Sequence, residues 1–194
     1  FVMNCDLIII RTKTNFSITE YLKFIEDGGY YKQKYWSTDG YYWLKYNNYH
    51  YPKNWLKMDS QWYVDNISID LCSNFPISHI SYFEAEACAN YYGGKLPTEI
   101  EWNWISSNRN KTIYPNGLEL PILFELNTEF SNKESVNNSR FESLMGLTEL
   151  YGSVWEFTST IKKSDDDIIE VCLKGGDWKV PNFILNNNLQ MFIS

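Results

Sequence analysis

The side chains best suited to bind a metal or to act as nucleophiles are few in this sequence. They are two histidines and four cysteines: His50, His79, Cys5, Cys72, Cys88 and Cys172. Two histidines cannot complete a three-histidine site without a donor from outside these residues. The cysteines are far apart and form no C-x-x-C pair, which argues against a zinc site and favours buried free thiols. We therefore predict no metal site among these residues.

Aromatic side chains are the second group with chemical potential, since they make up 18% of the chain. Residues 30–63 are dense in Tyr and Trp and show no clear helical period. The faces of such rings attract cations, so several of them are candidates for stacking on a cationic ligand such as a trimethylated histidine. The candidates are Trp36, Tyr41, Tyr42, Trp43, Tyr49 and Trp55. The alternative is that these rings form the core and rim of an irregular fold, because aromatic side chains bury a large area. His79 is a further candidate, with a structural role as its alternative.

Composition and charge narrow the classes of partner. The formal net charge is −7 and the isoelectric point is about 4.9. No basic patch stands out, so we expect no nucleic-acid partner. An aliphatic run at residues 7–10 is strand-length and too short to span a bilayer, and no signal peptide is visible. We therefore expect a cytoplasmic protein with reduced thiols and no membrane contact.

Capping residues predict the helices that would position these side chains. Ser17 or Asn15, followed by Glu20, predicts a helix that Gly28 and Gly29 end. A helix begun in this way is fixed by local hydrogen bonds, so its start can be predicted without knowledge of its neighbours.

Ser81 with Glu84 forms a capping-box pattern, which predicts a helix over 82–92 after a strand over 76–81. The helical spacing of Ala85, Cys88 and Ala89 predicts that they form its close-packing face. Thr98 with Glu101 repeats the pattern and opens a second helix. We expect the two helices to pack on each other.

The second helix carries Trp102, Trp104 and Ile105, which we expect to bury against the first. Elsewhere the patterns predict strands over 7–10, 61–64 and 168–173, a turn at 39–40 before a short helix at 41–44, a tight turn at 175–178, and a polar surface excursion over 106–146.

Four segments, taken in chain order, carry a resemblance to a known family. They are PISHISYFEA at 76–85, GKLPTEIEW at 94–102, GSVWEFT at 152–158 and LKGGDW at 173–178. They resemble the motifs P-V-x-x-V-S-W/Y-x-x-A, G-x-R-L-P-T-E-A-E-W, G-N-V-W-E-W-T and L-R-G-G-S-W/F of the formylglycine-generating-enzyme, or sulfatase-modifying-factor, superfamily. The resemblance implies an α+β fold of C-type-lectin-like type, with two packed helices, a small antiparallel sheet and much irregular loop.

Within that superfamily, residues 21–30 with Trp36, Trp43 and His79 resemble the C-terminal domain of the ergothioneine and ovothiol sulfoxide synthases. The resemblance implies oxidative C–S bond formation between a thiol, such as cysteine or gamma-glutamylcysteine, and a histidine derivative. The iron(II) ligands of that family lie mainly in an N-terminal helical-bundle domain, which the resemblance implies as a partner. We expect residues 1–194 to be a single domain of this type, truncated at one or both ends and either catalytically active or degenerate.

The resemblance supplies ligand-binding candidates and assigns no catalytic residue. The candidates are Trp36, Trp43, His79, Trp155, Asp177 and Trp178. One alternative is a non-catalytic ligand- or protein-binding module on the same fold. Another is a formylglycine-generating oxidase. Resemblance to those copper-dependent enzymes would imply a cysteine pair near the C-terminus, and this chain has only Cys172 in that region, which argues against this alternative.

Overall fold

A computed structural model of the 194-residue chain describes most of its residues. The described residues are 5–6, 16–109, 111–114, 143, 146–163, 168–177 and 179–194. The strand expected over 7–10 and the side chain of Trp178 lie outside the described residues, as does most of the excursion expected over 106–146.

Serine and threonine caps begin most of the helices. The α-helices are α1 (Ile18–Glu26), α2 (Thr38–Asn47), α3 (Ile69–Cys72), α4 (Tyr82–Tyr91) and α5 (Glu99–Ser106). The capping boxes expected at Ser81 and Thr98 are complete, which confirms those two helix starts. Of the two caps considered for the first helix, the structure has Ser17, which forms a third capping box with Glu20. No helix in the described part of the chain is long and apolar enough to cross a membrane.

The strands form two small sheets. They are β1 (Cys5–Asp6), β2 (Trp55–Met58), β3 (Gln61–Val64), β4 (Ile67–Ser68), β5 (Trp155–Lys163), β6 (Ile169–Lys174) and β7 (Gln190–Ile193). The larger sheet has the order β1-β5-β6-β7, with β1 parallel to β5 and the other pairs antiparallel. The smaller sheet, β2-β3-β4, is antiparallel. The expected mixture of helices with small, mostly antiparallel sheets is confirmed.

The main core lies between α1, α2, α4 and one face of the larger sheet. Its fully buried residues include Tyr21, Phe24, Ile77, Ala85, Cys88 and Leu173. The small side chains of α4 let other elements approach its backbone closely, and α4 packs against both α1 and α2. The packing face predicted for this helix is therefore confirmed.

A second cluster lies on the other side of the larger sheet, where α5 packs against β5 and β6. We call it the Trp102 cluster and define it as Trp102, Leu150, Tyr151 and Leu185 with the buried charged residues Glu156 and Lys174. Glu156 and Lys174 lie opposite each other on β5 and β6. The indole Nε1 of Trp102 donates a hydrogen bond to the Glu156 carboxylate.

Lys174 is held in this cluster by a backbone carbonyl group and by an aromatic ring. Its Nζ donates to the carbonyl of Asn187 at 2.8 Å and lies 5.3 Å from the centre of the Trp102 ring. Burial lowers the pKa of Lys174, because the charged ammonium loses its hydration.

Several local predictions were wrong. The expected turn at Asp39 and Gly40 is the first turn of α2, because the Ser37 hydroxyl caps that helix by accepting from the Gly40 N–H at 3.3 Å. Residues 76–81 do not form a strand and contribute a single bridge, from Pro76 to Ser17.

The expected burial of Trp102 and Trp104 against α4 was also wrong, because Trp102 is buried in the Trp102 cluster instead. Trp104 is 42% exposed, whereas Trp102 on the same helix is 1% exposed. The reason is that α5 packs on the sheet, so the helix face that is buried is the one that meets β5 and β6.

Candidate ligand-binding cleft

A cleft lies where α2, the start of α4 and the β5-β6-β7 part of the larger sheet meet. Its volume is about 450 Å³. It is lined by Trp43, Tyr49, Lys53, His79, Ile80, Ser81, Tyr82, Phe83, Glu84, Phe157, Val171, Ile193 and Ser194. This size, with a lining that is mostly aromatic and aliphatic and has few polar groups, is typical of small-molecule sites.

Trp43 of α2 forms one wall of the cleft. Its ring contacts the rings of Tyr49 and Phe83, with centroid distances of 5.4 Å and 5.6 Å. Behind it lies Trp36, stacked at 6.5 Å with an interplanar angle of 23°. The Trp36 indole N–H donates to the carbonyl of Gly29 at 2.9 Å, which fixes this ring in the core. The wall is therefore a rigid surface backed by buried side chains.

Tyr82, Phe83 and Phe157 continue the aromatic lining from α4 to β5. The Tyr82 ring makes edge contacts with the rings of Phe83 at 5.7 Å and Phe157 at 6.0 Å. With Trp43 and Tyr49, five aromatic side chains surround one cleft. Rings at several orientations can present their faces to a single cationic group.

Two polar residues that line the cleft are His79 and the exposed, positively charged Lys53. His79 has a φ of 61°, in the left-handed region. Its Nδ1 lies 3.1 Å from the Ser78 hydroxyl and 3.6 Å from a carboxylate oxygen of Asp65. An imidazole beside a carboxylate can donate or accept a proton at ordinary pH.

Glu84 lines the cleft from below and is almost wholly buried. Its carboxylate accepts from the Ser81 N–H at 2.7 Å, which completes the cap of α4, and from the Tyr30 hydroxyl at 2.6 Å. The Tyr30 hydroxyl also lies 2.9 Å from that of Tyr21. Burial raises the pKa of Glu84, and the hydrogen bonds from Ser81 and Tyr30 oppose that rise only in part.

Three of the candidates from the sequence, Trp43, Tyr49 and His79, line the same cleft. Trp36 lies directly behind Trp43 and supports it from the core. The structure thus brings together residues that are 36 positions apart in the sequence. Their ligand-binding role remains a prediction.

Two further candidates, Trp155 and Asp177, are not among the residues that line the cleft. Trp155 is buried in the main core on β5. Asp177 follows β6, where its carboxylate accepts from the backbone N–H of Lys179 at 3.1 Å. Trp178 is outside the described residues.

Sequence reasoning missed Lys53, Tyr82, Phe83 and Phe157 as site residues. The two aromatic residues at the start of α4 directly follow the cap at Ser81, so their position was predictable, but nothing local indicated that they face a cleft. Phe157 alternates with buried Glu156 along β5, a period-two signal that fits a strand with two covered faces. No sequence signal distinguished Lys53 from other exposed lysines.

The described residues do not fit a metal site. Among them, no three side chains of the types His, Cys, Asp and Glu are grouped so as to hold an ion. His50 stacks on exposed Tyr31 at 5.5 Å and does not share the cleft with His79. The cysteines whose side chains are described are buried free thiols, as predicted: Cys72, Cys88 and Cys172. Burial raises the pKa of Cys88 and Cys172, which disfavours their thiolate forms as ligands.

Similarity to known proteins extends over nearly the whole chain. Residues 10–192 match the family described as the sulfatase-modifying factor enzyme 1-like domain. A hercynine oxygenase from Mycobacterium tuberculosis is 27% identical over 188 residues, which cover 86% of this chain and 44% of that protein. A hercynine oxygenase from Mycolicibacterium thermoresistibile is 30% identical over 148 residues, covering 73% of this chain and 33% of that protein.

A third relative has a different name. The inactive C-alpha-formylglycine-generating enzyme 2 of Bos taurus is 29% identical over 117 residues, covering 54% of this chain and 38% of that protein. The chain therefore spans less than half the length of each of these relatives. Because the family match takes in all four motif segments and both sheets except β1, the resemblance drawn from the sequence is confirmed, and this chain belongs to the sulfatase-modifying factor enzyme 1-like family.

Proposed function

We propose that this chain is the C-terminal, C-type-lectin-like domain of an iron-dependent sulfoxide synthase, and that the cleft at Trp43 binds its histidine-derived substrate. The reaction would join a thiol, such as cysteine or gamma-glutamylcysteine, to that substrate with oxygen as oxidant. Support comes from relatives named hercynine oxygenase, one of which aligns with 86% of the chain. The observation that carries the proposal is the cleft, in which five aromatic rings and one lysine surround a small-molecule-sized volume.

Hercynine, the trimethylated betaine of histidine, has chemical groups that match both ends of this cleft. A quaternary ammonium group is attracted by the faces of Trp and Tyr rings, which Trp43, Tyr49 and Tyr82 supply. Its carboxylate would pair with Lys53 at the cleft mouth. A volume of about 450 Å³ accommodates a ligand of this size.

Iron would have to be supplied from outside the described residues, since these do not form a site for it. We therefore propose an N-terminal helical-bundle domain as the partner that holds the metal. The residues of this chain would bind and orient the substrate, and Trp36 would keep the Trp43 ring in place from behind.

The test uses the natural gene product that contains this chain, supplied with iron(II), oxygen, cysteine and hercynine. We expect a sulfoxide product, detected by mass spectrometry, that requires both organic substrates. Trp43→Leu removes one aromatic face and should weaken hercynine binding by about tenfold. The matched control is Trp104→Leu, because Trp104 is exposed and does not line the cleft.

Two results would refute the proposal. One is the absence of hercynine-dependent product from iron-loaded protein that contains a helical partner domain. The other is an equal loss of hercynine affinity in both tryptophan variants, which would place the binding site elsewhere.

A non-catalytic binding module is a second candidate, favoured by similarity to a relative named as inactive. It predicts a native gene product with an intact mass near 23.0 kDa that binds hercynine without turnover. A larger mass with turnover would exclude this candidate.

A further inference from the structure

A row of tryptophan and tyrosine side chains leads from the cleft into the main core. Trp43 lines the cleft, and its ring stacks on that of Trp36 at a centroid distance of 6.5 Å. The Trp36 ring contacts the ring of Tyr30 at 5.5 Å. Trp36 and Tyr30 are 7% and 2% exposed, so both rings are shielded from water. Because indole and phenol rings lose an electron more easily than the ring of Phe, contacts between them allow a missing electron to move from ring to ring.

Tyr30 is the point in this row where a proton can leave together with an electron. Its hydroxyl donates to the Glu84 carboxylate at 2.6 Å. A phenol that has lost an electron is a strong acid, so its oxidation is favourable only where a base takes the proton. The Tyr21 hydroxyl lies 2.9 Å from that of Tyr30. Since the single hydroxyl proton of Tyr30 is directed to Glu84, Tyr21 is the donor in this pair, and it can stabilise the phenoxyl oxygen that oxidation would leave.

Glu84 has the properties of a proton acceptor for Tyr30. Burial raises the pKa of Glu84, so its carboxylate holds a proton more firmly than an exposed one. Its second oxygen accepts from the Ser81 N–H at 2.7 Å, which keeps the group in place when the first oxygen takes a proton. Burial also raises the pKa of Tyr30 and Tyr21, so both phenols keep their protons until an electron is removed. The proton donor and its acceptor are therefore already at hydrogen-bond distance before any oxidation.

We propose that Trp43, Trp36 and Tyr30 form a one-electron oxidation path, in which Tyr30 becomes a phenoxyl radical and Glu84 receives its proton. A one-electron oxidant in the cleft would take an electron from the Trp43 ring and be reduced. Trp36 then returns an electron to Trp43, and Tyr30 returns one to Trp36. In balance, the oxidant gains one electron, Tyr30 loses one electron and one proton, and the Glu84 carboxylate becomes a carboxylic acid.

This redox role goes beyond the proposed function and depends only on contacts within the chain. An enzyme that uses oxygen produces strong oxidants, and these damage nearby side chains when no substrate is present to react. The path would move the oxidising equivalent from the wall of the cleft to a phenol in the core. If the synthase assignment holds, the oxidant is an oxygen-derived species, and any other one-electron oxidant that reaches Trp43 can replace it.

The test generates a one-electron oxidant by light on the full chain, without iron or hercynine. A ruthenium tris-bipyridine complex with persulfate supplies the oxidant, and phenoxyl radicals are followed by transient absorption and by electron paramagnetic resonance of frozen samples. Radicals on exposed tyrosines decay quickly because they meet one another, whereas a buried radical is protected from such collisions. The solution is kept above the folded pKa of Glu84, so that its carboxylate can accept a proton. We expect a long-lived phenoxyl signal from the wild type.

Two matched pairs of variants assign that signal to the path. Tyr30→Phe keeps the ring and removes the hydroxyl, so it should lose the long-lived signal. Tyr46→Phe should keep it, because Tyr46 is 91% exposed. Trp43→Phe replaces the first ring of the path with one that is harder to oxidise and should lower the yield, whereas Trp104→Phe changes an exposed ring outside the cleft lining and should not. Circular dichroism checks that each variant is folded.

A further variant separates proton transfer from structural support. Glu84→Gln keeps an acceptor for the Ser81 N–H but cannot take the phenol proton. It should lower the yield of the long-lived phenoxyl radical and leave more of the radical signal on tryptophan. In the wild type the phenoxyl radical should form more slowly in D2O than in water, because the proton moves with the electron. This isotope effect should be lost in Glu84→Gln.

Four outcomes would overturn the inference. They are the absence of a long-lived phenoxyl signal in the wild type, a signal that survives Tyr30→Phe, equal yields from the wild type and Trp43→Phe, and an unchanged signal in Glu84→Gln. Failure here is distinguishable from failure of the proposed function, because the measurement uses neither iron nor hercynine. A long-lived radical without any sulfoxide product leaves the path standing and refutes the synthase assignment, and a product without a long-lived radical does the reverse.

Discussion

The cleft and the Trp102 cluster lie on opposite faces of the same strands. On β5, Phe157 lines the cleft, while its neighbour Glu156 accepts a hydrogen bond from Trp102. On β6, Val171 lines the cleft, and Lys174 lies against the Trp102 ring. Successive side chains of a strand point to opposite faces, so one short sequence serves both regions.

The two regions differ in where the family motifs lie. The segments at 94–102, 152–158 and 173–178 supply most of the polar and aromatic contacts of the Trp102 cluster. The cleft takes only Phe157 from these three segments, and the fourth motif segment, at 76–85, supplies residues 79–84 of its lining. The family motifs are therefore divided between the two regions: three segments build the Trp102 cluster, and the fourth contributes to the cleft.

The largest expected effect is the loss of the Trp102 side chain. Trp102→Ala should lower the free energy of unfolding by about 4 kcal/mol, because it leaves a cavity and removes the hydrogen-bond donor of a buried carboxylate. Trp104→Ala, two positions along the same helix, should cost less than about 1 kcal/mol, because that ring is largely in water. Urea denaturation of both variants measures the contrast, and similar losses would mean that α5 is packed differently.

A smaller effect is expected at the turn after β6, where Gly175 has a φ of 88°. Gly175→Ala should lower the free energy of unfolding by about 2–3 kcal/mol, because the added Cβ would lie 2.8 Å from the Leu150 carbonyl oxygen. Gly93→Ala is the matched control. Gly93 has a φ of 73° with open space around it, so it should cost about 1 kcal/mol from backbone strain alone. Equal losses in the free energy of unfolding would show that the residues around Gly175 move to accommodate the added methyl group.

The sequence was sufficient to predict features that depend on nearby residues. The capping boxes at Ser81 and Thr98 connect residues three positions apart, so the pattern alone specifies the hydrogen bonds. The burial of Ala85 and Cys88 followed from helical spacing in the same way.

Features that depend on distant residues were not predictable. Whether Trp102 or Trp104 is buried depends on where the sheet lies, and helical periodicity does not contain that information. The pairing of Asp65 with His79 requires the turn after β3 to reach the loop before α4. The cleft likewise joins Trp43 to Phe157, which are 114 positions apart.

The smallest effect concerns the boundary between the cleft and the main core, where Glu84 is buried with a raised pKa caused chiefly by desolvation. A carboxyl whose folded pKa exceeds its unfolded value binds its proton more tightly in the folded protein. Its stabilising contribution is therefore fully present below the unfolded pKa, about 4.3, and is lost as pH rises through the folded pKa. Each unit of difference contributes about 1.4 kcal/mol.

Glu84→Gln keeps an acceptor for the Ser81 N–H and cannot ionise, so the difference between it and the wild type isolates this carboxyl. We expect the wild type to lose stability relative to the variant as pH rises from about 4.3, with the difference levelling once Glu84 is ionised. Urea denaturation at a series of pH values measures this difference. A wild type that gains stability relative to the variant over the same range would mean that Ser81 and Tyr30 stabilise the carboxylate more than burial destabilises it, and the cleft floor would then carry a negative charge.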